Sequence, residues 1–328
     1  MLGFIARRVL YMIPTFIAVS IVAFAIIQLP PGDYLTTLVA SMASQGETLD
    51  PAAMEALRNR YGLGQPMYVQ YFKWMSNIFL HGDFGQSFEW NQPVIDLIWS
   101  RLALTFMLSL STLLFVWAVA LPVGIYSAVR QYSLGDYTFT FLGFIGLAIP
   151  NFLLALVLMY VAFKYFNQSV GGLFSPDYQE AAWTWAKLKD LLAHLWIPIV
   201  IIGTAGTASL IRVMRANLLD ELHKPYVVTA RAKGLPEWQV IMRYPVRVAL
   251  NPFVSTIGWV LPALISGEAI VSIVLSLPTT GPLLLRSLMS QDMYLAGSFI
   301  LMLSTLTILG TLLSDILLAL LDPRIRLE

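Results

Sequence analysis

Apolar positions in this chain fall in long, nearly unbroken stretches separated by shorter polar ones. A membrane span needs about 20 mostly apolar residues. Six stretches meet that requirement, at roughly 9–29, 102–129, 138–166, 194–213, 251–276 and 296–320. The second and third are long enough to tilt or to project beyond the hydrocarbon. The first follows Arg7 and Arg8 and runs from Val9 to Ile27. That exceeds the apolar core of a signal peptide, about 7–15 residues, and no small-x-small cleavage pattern follows it. It therefore reads as an uncleaved first span. The pattern predicts an all-α membrane protein with six transmembrane helices.

Polar residues predict the orientation and the connecting elements. One side collects Arg7, Arg8, Arg130, Arg324, Arg326 and the cluster Arg212, Arg215, Lys224, Arg231, Lys233, Arg243 and Arg247. The other holds fewer cations and more acids, including Asp33, Glu47, Asp50, Glu55, Asp83, Glu89 and Asp96. Lysine and arginine favour the cytoplasmic side, which predicts N-in and C-in. The expected organisation is an N-terminal tail and first helix at 1–29, an outer segment at 30–101, and a five-helix core at 102–328 with an inner loop at 212–250. In the outer segment, Asp50-Pro51 precedes a capped helix over Ala52–Tyr61, and Met67–Phe79 has a second helical pattern. In the inner loop, Pro225 can start a short helix and Gly234 stop it. Pro236 and Glu237 can open another, which Pro245 interrupts.

Composition agrees: 58% of residues are hydrophobic and 12% charged, against about 25% charged in soluble domains. A net charge of +1 gives no reason to expect nucleic acid. The absence of cysteine excludes disulfides, thiolate metal sites and cysteine nucleophiles. No glycine is followed by lysine, so the phosphate-cradling Gly-x-x-x-x-Gly-Lys loop is missing. His81, His194 and His223 lie in three segments without metal-site spacing. Catalysis has no positive support.

The inner loop carries the most specific chemistry. Tyr226, Thr229, Ala230, Arg231, Ala232, Lys233, Gly234 and Leu235 belong to a short amphipathic helix with a glycine stop. Small residues at 230 and 232 permit close approach of another protein, and cations at its end suit the helix dipole. Physics alone leaves two readings open: a docking helix for a cytoplasmic partner, or a basic loop touching anionic lipid.

The stretch from Tyr226 to Pro252, with Thr229-Ala230-Arg231-Ala232-Lys233-Gly234 at its centre, resembles the cytoplasmic loop of ABC importer permeases of the dipeptide/oligopeptide/nickel transport family. Similar blocks occur at Arg7-Arg8 through Pro14, Tyr61–Pro66, Gly82–Ser87 and Leu321–Arg326. The resemblance implies a type I importer subunit whose coupling helix lies between spans four and five. It implies a second homologous permease, two cytoplasmic ATPase subunits carrying ATP and Mg, and an extracytoplasmic substrate-binding protein, in a bacterial-type inner membrane. This chain would bind no cofactor, and would form half of a pathway for short peptides, with oligosaccharides or nickel as related cargoes. Val228 stands where the family has a glutamate. Ser272 stands where it has an acid after the fifth-span glycine, and Pro278-Thr279-Thr280-Gly281 replaces its Pro-Gly-Leu-Gly turn.

Single residues carry further expectations. Glu268, an acid in an apolar stretch, is expected to face a cavity or partner because a central acid costs about 2.5–3.5 kcal/mol on insertion scales. Asn151, after Pro150, can bond across helices or touch solute. Glu268, Ser272 and Asn151 are the candidate pathway residues. Trp74, Trp90, Trp99, Trp183, Trp185 and Trp196 read as interfacial anchors. An ATP-independent transporter would instead show inverted repeats or paired intramembrane charges, and neither is evident.

Overall fold

The computed structural model describes residues 2–28, 55, 64–87, 89–166, 171–179, 181–251, 253–254, 269–290 and 292–321. The expected helix over Ala52–Tyr61 (apart from Glu55), Glu268, most of the expected fifth span and the Asp322–Arg326 tail lie outside the described residues. So does the first half of the Tyr61–Pro66 block. In chain order the helices are α1 (Leu2–Gln28), α2 (Met67–His81), α3 (Val94–Val129), α4 (Leu134–Ala148) and α5 (Asn151–Phe166). There follow α6 (Trp185–Leu222), α7 (Pro225–Ala232), α8 (Glu237–Arg243), α9 (Pro245–Ala249), α10 (Ala269–Val274), α11 (Thr280–Met289) and α12 (Met293–Leu321). Among the described residues there is no strand, only an isolated bridge between Gln86 and Pro93.

Among the described residues, four helices are long and apolar enough to cross a membrane unaided: Ile5–Ile26 within α1, then α3, α6, and Tyr294–Leu320 within α12. The stretch expected as one span at 138–166 is instead two helices, α4 and α5, bent by 101°. The cause is Pro150. It has no N–H to donate, and its ring drives the residue before it out of the helical region. Ile149 accordingly sits at φ −85°, ψ 120°. Pro14, Pro122 and Pro198 stay inside continuous helices.

The described chain divides into two compact units. One comprises Val9–Ala103 and Leu283–Thr305. Here α2 lies against α1: Tyr71 and Ser20 share a hydroxyl hydrogen bond of 2.7 Å, and the Phe24 ring packs on Trp74. Trp74 is 5% exposed, in a core with Ile98, Leu295 and Phe299. It is a core residue rather than the expected anchor, whereas Trp99, Trp183, Trp185 and Trp196 are exposed. Asp292 is fully buried and caps α12 by accepting from Leu295 N. Its carboxylate also accepts the Ser87 hydroxyl at 2.5 Å, which fastens the Gly82–Ser87 turn to the start of α12. Gly85 in that turn has φ +98°, and a Cβ there would lie 2.9 Å from the Tyr294 ring. Both constraints require glycine.

The other unit comprises Met1–Arg8, Leu104–Pro282 and Leu306–Glu328, and α6 is its axis. The first half of α6 buries Leu191, Leu195 and Ile201 with Ala155 of α5, Leu108 of α3 and Val271 of α10. Its second half buries Met214 and Leu218 with Val116 and Ala120 of α3, Ile241 of α8, Val246 of α9 and Phe253. Lipid tails are as apolar as leucine, so helix association in a bilayer rests on close packing and polar pairs. Lys187, near the start of α6, is buried. Its ammonium donates to Ala181 O at 2.6 Å and lies over the Phe174 and Trp183 rings.

Candidate functional site

The inner loop forms the two short helices that the prolines and glycine predict, α7 and α8, and a third, α9, opens at Pro245, which the sequence offers only as an interruption. Helix α6 ends at Leu222, and after two intervening residues Pro225 opens α7 as its first residue. A proline fits there because a first-turn N–H has no intrahelical partner. The Tyr226 hydroxyl donates to the Glu221 carboxylate, tying α7 back to the end of α6. Burial, and then that hydrogen bond, push the phenol above its ordinary pKa. Gly234 closes α7 at φ +77°, and its N–H reaches Arg231 O at 2.9 Å.

Helix α7 has one buried face. Val227 and Ala230, three residues apart, pack with Val240 of α8, supported by Leu235 and Tyr244. Ala230 is 4% exposed, so its small side chain serves the approach of α8. The close approach of a partner expected at 230 is available at Ala232, which is exposed. Arg231 turns its guanidinium to Glu237 at the start of α8, with Nη2 2.7 Å from Oε1. It therefore braces the hairpin. Arg231 holds the Glu237 carboxyl below its usual range. Tyr226, Val228, Thr229, Ala232, Lys233 and Gly234 remain exposed. The hairpin is joined to the body through α8: Val240 faces α7, and its neighbour Ile241 enters the core of α6 and α3.

The candidate pathway residues fare differently. Ser272 is 3% exposed within α10. Asn151 is partly buried as the first residue of α5, next to the Pro150 bend. Helices α5 and α10 pack together. Glu268 lies outside the described residues.

The sequence reading missed an ion pair at the same end of α6. Asp136, 2% exposed near the start of α4, accepts Arg215 Nε and Nη2, each at 2.9 Å. Asp136 also accepts from Tyr132 N at 3.0 Å. Its own N–H donates to Ser133, the α4 cap. A capped helix start at Ser133 with an acid three residues on was a visible local signal. The partner, 79 positions away, was not.

Residues 120–327 match the family described as the binding-protein-dependent transport system inner membrane component. Residues 1–110 match the N-terminal part described for the same kind of protein. The chain belongs to this family. It is similar, at 36% identity over 327 residues, to the oligopeptide transport system permease protein AppB of Bacillus subtilis, with 99% of each chain covered. It is 30% identical over 342 residues to the dipeptide transport system permease protein DppB of Escherichia coli, again with 99% of each covered. The oligopeptide transport system permease protein OppB of Escherichia coli is 31% identical over 328 residues, with 99% and 100% covered. The chain is thus a permease subunit of the binding-protein-dependent transport class and an integral multi-pass membrane protein. In this permease the matched region contains α4 through α12 and so the whole α7–α9 loop.

Proposed function

We propose that this permease forms half of the translocation pathway of an ATP-driven importer of short peptides, and that α7 is its coupling helix. The observation that carries the reading is the build of the α7–α8 hairpin. One face of α7 is sealed against the protein by Val227 and Ala230, while Val228, Thr229, Ala232 and Lys233 project outward. Ile241 anchors the hairpin in the core of α6 and α3. A helix presented in this way can receive a push from a bound protein and pass it into the spans. The peptide cargo rests on the names of the relatives, two oligopeptide and one dipeptide permease.

In this reading two ATPase subunits dock on the inner loops of this chain and of a second, homologous permease, and hydrolyse ATP with Mg. A binding protein delivers peptide to the outer face, and the membrane is a bacterial-type inner membrane. The chain has six spans with both termini inside, organised as 1–29, the outer 30–101 and the core 102–328. The Arg8–Asp315 ion pair, 3.3 Å, supports termini on one side, because it joins the start of α1 to the last turns of α12. Of the pathway candidates, Asn151 at the bend is better exposed than Ser272. Glu268 is retained as a candidate on its chemistry.

The test is uptake into proteoliposomes holding the full complex, with ATP and binding protein supplied, comparing a labelled tripeptide, a labelled oligosaccharide and nickel ion. The expected result is ATP-dependent tripeptide uptake. Uptake of the oligosaccharide or nickel alone would overturn the peptide assignment, and uptake independent of ATP would overturn the importer.

A further inference from the structure

The Asp136–Arg215 pair has a geometric context that gives it a role beyond local structure. From that pair to the contact between Gly143 and Ala208, both helices advance by seven residues in opposite directions. Three residues further along α4 and four along α6, Gly146 meets Thr204. The helices therefore lie antiparallel in one register, held at close range by glycine. A bidentate arginine–carboxylate pair fixes both distance and angle. A one-turn slip, about 5.4 Å, would break it and leave a buried carboxylate unpaired. Arg215 stands seven residues before the end of α6, from which α7 follows.

We propose that Asp136 and Arg215 are positioning residues that lock α4 to the loop end of α6, so that the two helices move as one lever when α7 is displaced. The lever rests on the coupling role given to α7 above. That role makes α6 the first span to receive the push, and the lock extends the push to α4 and the Pro150 bend. Tyr132 supports this arrangement: a tyrosine held at φ +61°, with its N–H on Asp136, ties the α3–α4 turn to the same pair.

The chain has no cysteine, so a reversible cross-link can be placed cleanly. A Cβ on Gly143 would lie 3.6 Å from the Ala208 Cβ, within the disulfide range of about 3.5–4.5 Å. The experiment uses the full complex in proteoliposomes. It measures tripeptide imported per ATP hydrolysed, normalised to folded permease, for wild type, Asp136→Asn, oxidised and reduced Gly143→Cys/Ala208→Cys, and the triple variant. Expected are uptake in the oxidised double variant within about twofold of its reduced form, and a loss of about tenfold or more in the ratio for Asp136→Asn with basal ATPase retained. Oxidation of the triple variant restores the ratio. Block of uptake by oxidation, relieved by reductant, would show that α4 and α6 slide and would overturn the lever; that arm does not depend on the folding of Asp136→Asn. An unchanged ratio in a folded Asp136→Asn complex would overturn it as well. If the wild-type complex shows no ATP-driven uptake, the importer reading itself fails and takes the lever with it.

Discussion

At the residue scale, the inner loop separates side chains that hold the hairpin from those that face outward. Arg231 reads in the sequence as a cation offered to a partner. In the structure it is bound to Glu237, six residues on. Both side chains are largely exposed, at 41% and 55%, so the pair contributes about 0.2–1 kcal/mol. The Glu237 carboxyl is held below its ordinary 4.5, chiefly by the hydrogen bond from Arg231. A depressed carboxylate contributes its stability above the unfolded value and loses it as pH falls through the folded one. Thermal denaturation should therefore show Glu237→Gln slightly less stable than wild type near neutral pH, with the difference shrinking once pH falls below 4.5 and vanishing only below the lower folded value. A difference that grew on acidification would contradict this ion pair. Trp74 was misread for a related reason. A tryptophan beside an apolar run looks the same whether it meets lipid headgroups or Phe24, and only the packing of α2 on α1 separates the two.

At the element scale, helix punctuation was legible and helix pairing was not. Pro225, Gly234, Pro236 and Pro245 bound α7 and α8 where the sequence places them, because each acts on the backbone of its own turn; that Pro245 also opens α9 was not foreseen. Pro150 was equally visible, but its consequence was underestimated. A proline within a span can be absorbed, as Pro122 and Pro198 are, or can end a helix with a 101° bend. Which occurs depends on packing of the two halves that no local pattern encodes. The α4–α6 register was hidden for the same reason. It makes a prediction at this scale. Gly146→Leu places a side chain where a Cβ would already be 2.7 Å from Thr204 Cγ2. The expected cost is about 1–3 kcal/mol from overpacking, read as a lowered midpoint in thermal denaturation of the detergent-solubilised protein. No change in the midpoint would show that α4 and α6 separate more freely than the structure implies.

At the scale of the whole molecule, the chain is apolar in long stretches, lacks a nucleotide cradle and carries a structured basic loop. Those features were legible because they rest on composition and spacing, and membership of the transport family agrees with them. The path from loop to spans was not legible. It runs through Val227, Val240 and Ile241, ordinary apolar residues whose importance comes from where α8 lies. The central claim is that the outward face of α7 receives an ATPase subunit. Ala232 tests it most directly, because it is exposed while Ala230 is sealed against Val240. The measurement is the amount of ATPase subunit that co-purifies with the tagged permease, for wild type and for Ala232→Trp. The account predicts a near-stoichiometric ATPase with wild type and its loss with Ala232→Trp, while the permease keeps its thermal midpoint. Undiminished co-purification with Ala232→Trp would contradict it.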